Sequence, residues 1–290
     1  MREYINSDLA VEKRGVFNSD AGSRPEYFEE ERDICTVCRL NVESEELAQK
    51  YGKKEGRYVT VFFEDLSLMV KSDFLLLANN IAHEIESMIL FACDKSIKNC
   101  SVLVVGLGNS ALSVDAVGPF TVEKLTVTRH IEGDFEIGCL VSAIAPGVLS
   151  RTGIETAELV RAAAENIKPD VIIAVDSLSA ASCERLGTTI QLFDGGIVPG
   201  SGIGNKRRAI NKENMGYPVI SLGIPTVVSS STLIIDALEK AGASEIPEAL
   251  IDVLRDGKSF FVAPRECDII VESASNLIST ALNIVFGTYS

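Results

Sequence analysis

Two aspartates stand where a carboxylate needs a physical reason. Asp115 lies late in Gly106-Leu-Gly-Asn-Ser-Ala-Leu-Ser-Val-Asp-Ala-Val-Gly-Pro119, and Asp176 directly follows the apolar run Val171-Ile-Ile-Ala-Val175. A carboxylate at the end of a buried strand is paired, hydrogen-bonded or functional. Two that converge cannot both ionise cheaply, so they share a proton. One then acts as general base toward a water and the other as general acid. That is peptide-bond hydrolysis without Ser, Cys or His. The plainer alternative makes Asp115 a helix N-cap and Asp176 a turn residue, and spacing alone leaves both open.

Other segments offer weaker chemistry. Gly106-Leu-Gly-Asn-Ser-Ala111 fits a relaxed dinucleotide fingerprint, but Asn109, Ser110, Ser113 and Gly118-Pro119 lengthen the loop where that motif wants a helix. It keeps a non-catalytic nucleotide-binding protein as an alternative. The densest glycine segment, Asp194 to Arg208, carries Gly200, Gly202 and Gly204 and ends in Lys206-Arg207-Arg208. It suits a loop that grips an extended peptide, and equally an ordinary surface loop. The amides of Gly106, Gly108 and Asn109, or of Gly200, Gly202 and Gly204, are candidates for binding an oxyanion. Cys35-Thr-Val-Cys38 is a single CxxC without the second pair that structural zinc needs. With only His83 and His130 in the chain, no cofactor or metal is expected, although a divalent ion on the two aspartates is a related alternative.

The elements that would hold these residues follow from hydrophobic periodicity. Continuous apolar strands are predicted at Ser101–Val105, Asp170–Val175 and Pro218–Leu222, with a further strand at Tyr58–Phe63. Helices are predicted over Ser72–Cys93, the start of Pro119–Val127, Ile154–Ile167, Ser231–Lys240, Pro247–Arg255 and Cys267–Phe286. The alternation implies an α/β fold: three layers, a mostly parallel or mixed sheet flanked by helices, one domain. The first 33 residues are polar, with a charge run at Glu29–Asp33, and read as an extended arm. Ligands of such sheets bind beyond the carboxyl ends of the strands. Three loops are expected there: 106–119, Asp176-Ser-Leu-Ser-Ala180 and Gly223-Ile-Pro-Thr226.

Composition sets outer bounds. The chain has 290 residues, 46% hydrophobic and 23% charged, which excludes wholesale disorder and a disulfide-dense miniprotein. Its 27 basic against 41 acidic residues give a formal charge of −14, which argues against direct nucleic-acid binding. Seven cysteines scattered through apolar or helical stretches fit a reducing compartment. No secretory signal or membrane span is read, so a cytoplasmic protein is expected.

Taken in order along the chain, several motifs together resemble the germination protease family of spore-forming bacteria. They are Val104-Val-Gly-Leu-Gly-Asn109, Asp115-Ala-Val-Gly-Pro119, Thr128-Arg-His130, Val141-Ser-Ala-Ile-Ala-Pro-Gly-Val148, Thr152-Gly-Ile-Glu-Thr156, Pro199-Gly-Ser-Gly-Ile-Gly-Asn-Lys-Arg207 and Pro218-Val-Ile-Ser-Leu-Gly-Ile-Pro-Thr-Val-Val228. The resemblance implies a fold similar to hydrogenase-maturation proteases and an endopeptidase that degrades small acid-soluble spore proteins in the spore core. It also implies a homotetramer made as a zymogen that removes its own N-terminal propeptide. It places catalysis on Asp115 and Asp176. Family substrates are cut after an acidic residue in a motif of the type Thr-Glu-Ile/Phe-Ala-Ser-Glu, which Ser7-Asp-Leu-Ala-Val-Glu12 resembles. The expectation is therefore a propeptide over residues 1–8, cleavage between Asp8 and Leu9, and a peptidase domain over residues 9–290. The chain departs from the family at Val114, where Pro is usual, and at Ala181, where Arg is usual. It also lacks a long insertion before Pro264-Arg-Glu-Cys-Asp268, and the pair Cys35/Cys38 has no family counterpart.

Overall fold

The computed structural model describes residues 7–12, 26–131, 139–200, 207–243, 250, 254 and 260–289. Their elements run β1 (Tyr27–Arg32), β2 (Cys35–Val42), α1 (Glu45–Tyr51), β3 (Gly56–Phe63), α2 (Lys71–Cys93), β4 (Ser101–Gly106), α3 (Val117–Glu123), β5 (Leu140–Ile144), α4 (Leu149–Thr152) and α5 (Thr156–Ile167). Then follow β6 (Val171–Ala180), β7 (Thr189–Phe193), α6 (Lys212–Met215), β8 (Val219–Ser229), α7 (Ser230–Lys240), β9 (Phe261–Val262) and α8 (Cys267–Val285). The helix expected at Pro247–Arg255 lies almost wholly outside the described residues.

One mixed sheet takes the order β1-β2-β3-β7-β8-β6-β4-β5, with β9 also on β8. The half formed by β5, β4, β6 and β8 is parallel, and β7, β3, β2 and β1 continue it antiparallel. Period-2 alternation sorts the side chains into two layers. Val102, Val104, Val171, Ile173, Val175, Ile190, Leu192, Ile220 and Leu222 pack with the inner stripes of α2 and α8. On the opposite face Leu103, Val105, Ile172, Ala174 and Val219 meet α5 and Met215. Farther along that face, Leu40, Val42, Tyr58 and Phe193 are covered by Tyr51 of α1 and by Ala10. The α/β, three-layer expectation is met.

Three expectations need correction. β6 does not stop at Asp176 but runs to Ala180, and β8 does not stop at Leu222 but runs to Ser229, so two of the three expected loops are strand. Pro225 is accommodated because the β6–β8 register shifts at Leu178/Ser179, which pair with Pro225 and Val227 and skip Thr226. The polar arm is shorter than expected, since Tyr27–Arg32 is an edge strand. Its charges are used: Arg32 and Arg39 both bind the buried Glu84 of α2, and Glu30 bridges the two arginines. Cys35 and Cys38 are both buried on β2, three residues apart on a strand and so on opposite faces, which prevents them from chelating one ion. One described helix, α2, is long and apolar enough to cross a membrane by length and composition. Here its apolar stripe faces the sheet and α8 as a core helix.

Candidate active site

Asp115 is placed by a short loop that folds back on the end of β4. The Leu107 amide donates to Val175 O at 2.8 Å, which extends the β4–β6 pairing by one residue. The Asn109 amide donates to Asp115 O at 2.9 Å, and the Asp115 amide to Leu112 O at 2.8 Å. Thr226 Oγ1, on the bulged residue of β8, donates to Val114 O at 2.6 Å. The Asn109 side chain accepts from the Ala111 amide at 3.1 Å and from Arg151 Nη1 at 3.2 Å. Asp115 is not the N-cap of α3, whose cap residue is Ala116.

The glycines of this loop permit close backbone approach. A Cβ on Gly106 would sit 2.3 Å from Gly118 O, and one on Gly108 would sit 2.1 Å from Asp115 O. Gly108 also has φ +112°, a conformation that side chains resist. Gly108→Ala should therefore cost roughly 1–3 kcal/mol and displace Asp115. Urea denaturation and a cleavage assay on the same preparation check both effects. A variant with unchanged stability and rate would show that the loop tolerates the methyl group.

Asp176 projects from within β6 onto the face that Ile172 and Ala174 share, and is only 6% exposed. Its Oδ1 accepts from the Ser177 amide at 2.9 Å. Burial raises its carboxyl well above the ordinary range, and the charges of Asp115 and then Asp8 add to the effect. Burial also raises Asp115, while the Asn109 amide and the Arg207 guanidinium pull it back toward the ionised form. Asp8, Asp115 and Asp176 line one cleft of about 260 Å³ with Val114, Ser177, Ser179, Ile197, Gly200, Thr226 and Phe261. Gly106 is buried at the strand end, Gly108 and Asn109 lie in the Asp115 loop, and Gly202 and Gly204 lie outside the described residues. His83 and His130 are exposed and do not line the cleft.

Asp8 of the N-terminal segment lines the cleft, and the residues that follow it pack beside the cleft on β6 and β8. The Asp8 amide donates to Ser179 O at 3.1 Å, and the Ser179 amide donates to Asp8 Oδ2 at 2.9 Å. Leu9 is fully buried against Leu178, Ala180 and Val228. Glu12 accepts from the Ala181 amide at 2.7 Å. Its carboxyl is raised by burial, against the opposing pull of Ser7, Ala181, Arg185 and Lys53. Gln191 and Lys53, which no motif marks, hold the Asp8 carbonyl.

A model of the germination protease family matches residues 8–241, which include all three aspartates of the cleft. The chain belongs to the germination protease family. It is 42% identical to the germination protease of Bacillus velezensis over 245 residues, covering 81% of this chain and 66% of that protein. Against the germination protease of Clostridium perfringens it is 35% identical over 318 residues, covering 97% of this chain and 94% of that one. The Bacillus subtilis protein of the same name is 41% identical over 249 residues, with 81% and 66% covered. Membership makes the chain a peptidase, a hydrolase of peptide bonds.

Proposed function

We propose that this germination protease is an aspartic-type endopeptidase in which Asp115 is the general base and Asp176 the general acid. The observation that carries the reading is the convergence of both carboxylates, one buried and one partly balanced by Arg207, on a cleft that Asp8 of the N-terminal segment also lines. The pair holds one proton between them. Asp176, the more buried, keeps it, and Asp115 stays ionised. A water loses a proton to Asp115 as its oxygen adds to the scissile carbonyl carbon, and the carbonyl π pair moves onto oxygen. When that pair returns, the C–N bond breaks and Asp176 delivers its proton to the leaving nitrogen. The products are a carboxylic acid and an amine, and proton exchange with solvent resets the pair.

The family resemblance supports small acid-soluble spore proteins as substrates, broken down at germination after they leave DNA. It likewise supports a homotetramer in the cytoplasm of the spore core. Residues 1–8 are then a propeptide removed by the chain's own cut between Asp8 and Leu9, where the peptide already lies in the cleft. A mass-spectrometric cleavage assay on a small acid-soluble spore protein tests the reading. Wild type should cut after the acidic residue of the motif, Asp115→Asn and Asp176→Asn should not, and a chelator should change nothing. Loss of activity with chelator, restored by a divalent ion, would instead place a metal on the same carboxylates. Intact residues 1–8 in the matured protein would refute the processing site.

The pH profile carries a separate expectation. Arg207 favours the ionised form of Asp115, so Arg207→Ala should raise the pKa of the base. The acidic limb of the rate profile then moves to higher pH, while the alkaline limb, set by the proton on Asp176, stays in place. A profile whose acidic limb does not move would remove Arg207 from the site.

A further inference from the structure

We propose that Gln191 and Lys53 hold and polarise the carbonyl of the peptide bond to be cut, Gln191 gripping the backbone on both sides of the residue that follows the cut. Sheet register places Gln191 for this. Asp176 pairs with Gly223, and Gly223 pairs with Gln191, so the three form one row across β6, β8 and β7 on one face. The two outer residues stand two strand spacings apart, about 10 Å. Gly223 adds no side chain of its own between them; Leu178 lies over it, and a Cβ there would sit 2.6 Å from Asp176 O and 2.7 Å from Leu178 Cγ. An Asp and a Gln can then reach toward one peptide from opposite sides.

The hydrogen bonds on that peptide are specific. Gln191 Nε2 donates to Asp8 O at 2.8 Å, and Gln191 Oε1 accepts from the Ala10 amide. Only one orientation of the side-chain amide satisfies both contacts. Lys53 Nζ donates to Asp8 O at 3.3 Å and to Ser7 O at 3.0 Å, which places a cation beside the same oxygen. Gln191 is only 7% exposed, so its contact with the carbonyl is shielded from water. By contrast the Asn109 amide, an oxyanion candidate from the sequence, donates to Asp115 O. When the π pair of the Asp8 carbonyl moves onto oxygen, the charge forms where an N–H and an ammonium already point. These contacts read backbone, not side chains, and would serve any peptide whose backbone lies as residues 8–10 do here.

The proposal rests on the reading that Asp115 and Asp176 carry out the cleavage. The test uses the full chain and two peptides of residues 4–14, one unmodified and one N-methylated at the amide of Ala10. Self-cleavage and cleavage of the peptides are followed for wild type, Gln191→Met, Lys53→Met and Lys53→Arg, with melting curves to confirm folding. Gln191→Met should lower kcat by roughly 100-fold. Lys53→Met should lower kcat by about 10-fold with KM little changed, and Lys53→Arg should recover part of the rate. N-methylation should cost wild type about 10-fold in kcat/KM and cost Gln191→Met nothing further. An equal methylation penalty in both proteins, or wild-type kcat in Gln191→Met and Lys53→Met, would overturn the proposal. Asp115→Asn and Asp176→Asn run alongside. If they still cleave, the dyad reading falls while the Gln191 result is judged on its own, and a wild type that cuts neither itself nor the peptide overturns both.

Discussion

Asp176→Asn should abolish cleavage, by on the order of 10⁴-fold, and yet yield a protein that melts at a higher temperature near neutral pH. Asn keeps the shape of the side chain but can neither deliver nor take the proton. The stability gain follows from linkage. The carboxyl of Asp176 is held well above its ordinary value in the folded protein by burial and by the neighbouring charges of Asp115 and Asp8. A group raised in this way contributes stability that is fully present below its unfolded pKa and is lost as pH climbs through its folded value. Wild type therefore loses stability over that window and the Asn variant does not. Melting curves of both proteins from about pH 4 upward should separate progressively. If the variant melts lower at every pH, the carboxyl makes a net stabilising contact and its strain is not the cost of catalysis.

Leu9→Ala should open the cleft. Leu9 is fully buried in a small cluster with Leu178, Ala180 and Val228, apart from the main core. Truncating a buried Leu costs about 2–5 kcal/mol. That cost falls mainly on the docking of residues 7–12 rather than on the whole fold, because the cluster's other members stay packed on β6 and β8. Even the low end corresponds to roughly a 30-fold rise in the population with the segment displaced. In an Asp176→Asn background, which cannot cut, a fluorescent peptide of residues 4–14 should bind about 10-fold tighter once Leu9 is Ala. Unchanged affinity would mean that the peptide and the segment do not compete for one groove.

The sequence announced the parallel half of the sheet and its helices, because continuous apolar runs such as Val171–Val175 have few other uses. It also pointed to both aspartates, through the rule that buried strands deliver ligand-facing groups. It did not show that β6 and β8 continue. Asp176-Ser-Leu-Ser reads as a turn until β8 pairs beside it, and Gly223-Ile-Pro-Thr reads as a loop until the register shift absorbs Pro225. β1 was hidden by its charges, whose partner Glu84 lies far along the chain on α2. Gln191 was invisible for a related reason. A Gln in the alternating strand Thr189-Ile-Gln-Leu-Phe193 looks like an outward-facing surface residue, yet it is buried and hydrogen-bonded to Asp8 and Ala10.

The row Asp176–Gly223–Gln191 also fixes when the site can exist. β6 and β7 touch it from either side of β8, so nothing joins them into one floor until Val219–Ser229 has been made and inserted. Residues 7–12, the first of the described chain to leave the ribosome, depend on that floor for their seat at Ser179, Leu178 and Gln191. A nascent chain thus carries the peptide bond between Asp8 and Leu9 through most of its own synthesis, with no assembled floor to cut it on. The proposed self-cleavage, if it uses this floor, must follow the insertion of β8, and a chain truncated ahead of β8 should keep its N-terminus.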